Sequence, residues 1–61
     1  MSSYLERTLA SIAKNAQRRG LDVDATVATI ESKVGKLAEL KERQLVRVNS
    51  TLPKLLDEIT G

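Results

Sequence analysis

From Val23 to Leu52 the apolar residues return at helical spacing. Val23, Val27, Ile30, Val34, Leu37, Leu45, Val48 and Leu52 fall on one line, with Lys41 at the remaining position. The steps are four, three, four, three, four, four, three and four residues. This is the a/d rhythm of a helix with a single apolar seam. The two successive fours through Leu37, Lys41 and Leu45 form a stutter, which locally unwinds a left-handed supercoil. The spacing predicts a long helix over about 24–49 that packs lengthwise on other helices.

Chain length then limits what can cover that seam. Sixty-one residues make one small domain, 1–61, and a chain of this size buries only ~60% of its unfolded surface. Small domains usually carry a staple, and the sequence has no Cys for a disulfide or thiolate metal site and no His for an imidazole ligand or general base. Tyr4 is the only aromatic residue. A core of Leu, Val, Ile and Ala favours narrow helix–helix seams, and oligomerisation is the expected staple. The formal net charge of +2 suits a small helical protein in water and names no partner.

The remaining elements follow from local signals. Ser3 and Glu6 fit a capping box, and a helix is expected over about 4–19 with Leu5, Leu9, Ile12 and Ala16 as its apolar line. Lys14, Arg18 and Arg19 fall in its last turns, where cations offset the helix dipole. Gly20 suits the left-handed position just past a helix end, with Leu21 as its apolar follower. Asp22 or Asp24 can cap the next helix, so residues 20–23 form a short turn and the first two helices an antiparallel hairpin. Gly35 is an interior glycine of the second helix, at a cost of roughly 1 kcal/mol against Ala. Pro53 disfavours a helical residue before it. The long helix is therefore expected to end near Asn49, with Ser50 or Thr51 capping a short third helix over about 52–60.

These lengths do not match. At 1.5 Å per residue the first helix covers ~24 Å and the second ~38 Å, so Leu5, Leu9 and Ile12 can close on Val27, Ile30 and Val34 but on nothing beyond Leu37–Leu40. The uncovered half predicts an interface made by Leu37, Leu40, Leu45, Val46, Val48, Leu52, Leu55, Leu56 and Ile59. On this reading Leu45→Asp breaks an assembly.

Other chemistry finds little support. The carboxylates Asp22, Asp24, Glu31, Glu39, Glu42, Asp57 and Glu58 are explained by caps and solvated helix faces. A chain this short cannot readily enclose a ~300 Å³ pocket. No enzyme, metal, cofactor or small-molecule substrate is expected. Arg18, Arg19, Lys33, Lys36, Arg43 and Arg47 form basic stripes able to track phosphates. However, Glu31, Glu39 and Glu42 interrupt them, with Glu39–Arg43 a favourable (i, i+4) pair, and no Phe, Trp or His is present to stack a base. A helix-turn-helix register around Gly20 fails where that motif needs apolar side chains, at Arg19, Thr26 and Thr29. No apolar run approaches the ~18 residues of a membrane span, and Asn49-Ser50-Thr51 matches a glycosylation sequon without a secretory h-region at the N-terminus. A cytoplasmic location is expected.

The sequence therefore predicts an all-α protein: an antiparallel hairpin with a long second helix, a short third helix and coiled-coil-like packing. Its expected role is a non-catalytic structural, assembly or adaptor protein, either a homo-oligomer or the small subunit of a larger complex. The alternative is a small nucleic-acid-binding regulator acting through the six basic residues named above.

Overall fold

The computed structural model describes residues 3–60; Met1, Ser2 and Gly61 lie outside the described residues. Among the described residues three α-helices, α1 (Tyr4–Arg18), α2 (Val23–Val34) and α3 (Glu42–Thr60), pack into a body of 29 × 22 × 18 Å. A single 3-10 turn, Leu37–Glu39, lies between α2 and α3. Helix α1 packs against both α2 and α3, whose own backbones approach each other only sparsely.

Each end of α1 is set by its sequence. The Ser3 hydroxyl accepts from the Glu6 amide at 3.2 Å. At the other end Leu21 N–H donates to Ala16 O at 2.8 Å and Gly20 N–H to Gln17 O at 3.1 Å, the paired bonds of a Schellman motif. Gly20 has φ of +71°, a value that favours glycine because it has no Cβ to clash. Asp22 then caps α2, its Oδ2 accepting from Ala25 N at 2.9 Å.

The single helix expected over 24–49 is instead two helices. Gly35 leaves helical geometry with φ 96° and ψ 171°, and Lys36 and Leu40 are extended, with ψ of 122° and 146°. Side chains satisfy two of the backbone donors freed at this bend. The Glu31 carboxylate accepts from Leu37 N–H at 2.9 Å, and Gln44 Oε1 reaches back to Lys41 N–H at 2.9 Å, half of a capping box for α3. The physical reason for the bend is burial. A straight helix would leave Leu45, Val48 and Leu52 in water, whereas folding back sets them against α1.

The short helix expected over 52–60 is the second half of α3, which runs through Pro53 without a break. Proline inside a helix costs ~3 kcal/mol, yet Leu45, Val48, Leu52 and Leu56 are all at most 5% exposed and share one cluster. Burying four such side chains, at ~2 kcal/mol each, offsets that cost more than twofold. Ser50 and Thr51 cap nothing. Their hydroxyls donate to the carbonyls of Val46 and Arg47, one turn back.

Ile12 and Ala16 from α1, Ile30 from α2, Leu37 from the turn and the four α3 residues form the core. Leu9, expected on the core line of α1, is 38% exposed, and Thr8 is fully buried in its place. Its hydroxyl donates to Tyr4 O at 2.7 Å and accepts from Asn49 Nδ2 at 3.1 Å, so α1 and α3 meet partly through a polar contact. Thr26 is buried in the same manner, its hydroxyl donating to Asp22 O. At the far end, Arg19 Nη1 pairs with Asp57 Oδ1 at 2.7 Å while Nη2 donates to Pro53 O at 3.3 Å.

Candidate binding groove

The bend that buries Leu45 also creates a surface feature. Because α2 stops at Val34 and the chain turns through Leu40 into α3, the half-buried side chains of Val34, Leu40 and Leu55 come together beside buried Val48. With Gln44, Arg47 and Thr51 they line an open groove of about 260 Å³. Arg43, Gln44 and Arg47 line a second, adjoining concavity of about 420 Å³. The two share Gln44 and Arg47, so an apolar strip runs directly into a cationic one. No Asp or Glu lines either.

Along α3 the cations continue. Arg43, Arg47 and Lys54, at steps of four and seven, lie on one helical line, and all are exposed together with Ser50. This line is opposite the core residues Leu45, Val48, Leu52 and Leu56, whose burial orients the helix. The apolar groove is open and below the ~300–1,000 Å³ typical of sites that enclose a small molecule, whereas the adjoining concavity, at about 420 Å³, falls within that range but is lined by Arg43, Gln44 and Arg47. Among the described residues no group of three His, Cys, Asp or Glu side chains gathers to hold a metal ion. No described helix is long and apolar enough to cross a membrane.

The structure distributes the sequence-derived interface set across several environments. Leu37, Leu45, Val48, Leu52 and Leu56 are buried in the chain's own core, and Leu40, Leu55 and Ile59 pack against it half-buried. Val46 alone of the set is well exposed, at 42%. The uncovered half-seam that motivated the set therefore does not exist in this conformation, because α1 covers it. Leu40, Val48 and Leu55 remain together at the groove.

The basic set divides too. Arg43 and Arg47 share one concavity, whereas Arg19 is engaged by Asp57 and Pro53 on the α1–α3 seam. Arg18 ends α1 and Lys33 lies in the last turn of α2, both exposed, and Lys36 is exposed just past Gly35. Sequence reasoning missed Val34, Gln44 and Thr51 as groove residues and Lys54 as a member of the α3 cationic line. The signal for Lys54 was its spacing from Arg43 and Arg47, hidden by ending a helix before Pro53. No periodicity points to the groove, which depends on the bend at Gly35.

No protein-family model, curated protein or solved structure matches the chain.

Proposed function

We propose that this chain is a non-catalytic binding module, an adaptor or small subunit that takes up a helical segment of a larger protein. The observation that carries this reading is the groove of Val34, Leu40, Val48 and Leu55, flanked by Arg43 and Arg47 and free of lining acids. An apolar strip this narrow accommodates one amphipathic helix through anchors at i, i+3, i+4 and i+7. The two guanidinium groups favour a segment whose anchors are flanked by Glu or Asp, and they disfavour a basic one. The expected partner is thus an acidic amphipathic helix.

The test uses two defined peptides that share one Leu repeat, one flanked by Glu and the other by Lys. Each is titrated into isotope-labelled protein. The Glu peptide should shift the methyl signals of Val34, Leu40, Val48 and Leu55, and the Lys peptide should bind at least tenfold more weakly. Arg47→Glu should reverse that preference. Equal, weak binding of both peptides away from these methyl groups would refute the reading.

A second reading rests on the exposed line of Arg43, Arg47, Ser50 and Lys54 along α3. A helix presenting that face suits nucleic-acid phosphates. Binding of a short duplex that weakens steeply with salt, with no response to either peptide, would favour it over the adaptor.

A further inference from the structure

The segment between α2 and α3 is in conflict with its own sequence. Lys36, Leu37, Ala38, Glu39, Leu40 and Lys41 are all among the strongest helix formers, yet they run as extended chain around one 3-10 turn. The helical spacing also continues through them, from Val34 to Leu37 and, with Lys41 at the intervening position, on to Leu45. Within the segment, Gly35 alone adopts a conformation that other residues avoid, with φ 96° and ψ 171°. A Cβ built there meets nothing within 4 Å, so only the backbone resists a side chain. Local preference opposing the native path marks a place where a second arrangement is close in energy.

We propose that Gly35–Lys41 is a hinge and that a second copy of this chain is the partner it admits. When the hinge becomes helical, α2 and α3 join into one helix over Val23–Thr60, about 57 Å long. The α1–α2 pair of each copy then packs on α3 of the other. Every contact between α1 and α3 is recovered between copies, including Thr8 with Asn49 and Arg19 with Asp57. The packing between α2 and α3 is recovered in the same way: Ile30, which shares one buried cluster with Leu45, Val48, Leu52 and Leu56, meets those residues on α3 of the other copy. The bonds given up are those donated by Leu37 N–H to the Glu31 carboxylate, by Lys41 N–H to Gln44 Oε1, and by Glu39 and Leu40 N–H within the 3-10 turn, and a continuous helix satisfies all four amides. Straightening also brings Glu39 and Arg43 to adjacent turns as an (i, i+4) pair. Exchange of an identical element between copies is a known low-cost route to dimers, and short hinge loops invite it. In the exchanged dimer Val34 meets Val48 and Leu55 of the other copy, and of the groove residues only Leu40, inside the hinge, is displaced. The inference itself rests on the hinge and not on what the groove binds.

Two substitutions push the hinge in opposite directions. Gly35→Ala penalises the bend and favours the helix, shifting the balance toward the open form by roughly a hundredfold or more. Lys36→Pro fits the bend, where Lys36 has φ −62°, and obstructs a continuous helix. Each is combined with Arg19→Cys and Asp57→Cys, and a short bifunctional thiol reagent reports whether that contact lies within or between chains. The expected result is that Gly35→Ala doubles the light-scattering mass, increases helical circular dichroism and gives cross-links between chains. Lys36→Pro should remain a monomer with cross-links inside one chain, also when combined with Gly35→Ala. A folded Gly35→Ala monomer, or a dimer cross-linked only within chains, would overturn the proposal. If Gly35→Ala does not fold, the unsubstituted hinge is warmed at millimolar concentration and cooled. Cross-links between chains that Lys36→Pro suppresses support exchange, and their absence in both overturns it.

Discussion

Adjacent residues Leu45 and Val46 lie on different sides of α3, and opposite responses to one substitution test why. Leu45 is 5% exposed inside the apolar cluster, and Val46 is 42% exposed. Leu45→Asp forfeits about 2 kcal/mol of side-chain burial and places an unpaired carboxylate where desolvation costs several kcal/mol more. A domain of this size is stable by only ~3–9 kcal/mol. The substitution should therefore remove the cooperative thermal transition altogether. Val46→Asp should stay within ~0.5 kcal/mol of the parent, as surface changes do, or about 4 °C at the ~8 °C per kcal/mol expected for a chain this short. Circular dichroism melts of both variants, with light scattering at the same concentrations, distinguish the possibilities. If Leu45→Asp melts like the parent while its native mass falls, Leu45 serves an interface between chains and the intrachain core described above is wrong.

Further outcomes follow from three named contacts. Asn49 Oδ1 is buried with no hydrogen-bond partner, so Asn49→Leu should stabilise the fold in urea, whereas Thr8→Val, which strips Asn49 Nδ2 of its acceptor, should cost ~1–3 kcal/mol. Asp22→Ala removes the α2 cap and should cost about 1 kcal/mol by thermal melt. The Arg19–Asp57 pair has side chains 29% and 71% exposed, so Asp57→Ala should cost at most ~1 kcal/mol, less in high salt. Arg19→Ala should exceed it, because the bond to Pro53 O is lost too.

What the sequence made legible was local. Ser3, Gly20 and Asp22 mark the first turn as the structure has it, because caps and a positive φ are decided within a few residues. The all-helical content was equally plain from the spacing of Leu, Val and Ile. Gly35 and Pro53 misled in opposite directions for one reason: tertiary burial outweighs the local preference of either residue. A glycine tolerated in a helix and a glycine that ends one read alike in sequence, and only the need to bury Leu45, Val48 and Leu52 against α1 distinguishes them. The same need carries α3 through Pro53, since Leu56 lies on the core line with Leu52. Thr8 escaped notice because its burial rests partly on a hydrogen bond from Asn49, which lies far along the chain. The groove was invisible because Val34, Leu40, Gln44, Arg47 and Val48, which line most of it, come from a segment expected to form one straight helix.

The central claim is that α1 covers the apolar face of α3 within a single chain. The most direct measurement is a nuclear Overhauser experiment on dilute protein, run on uniformly labelled chains and on a mixture of labelled and unlabelled chains. A Thr8 methyl to Asn49 side-chain amide cross-peak in the uniform sample, absent from the between-chain spectrum of the mixture, is the predicted result. The same cross-peak at full strength between labelled and unlabelled chains would contradict the account and place that seam between molecules.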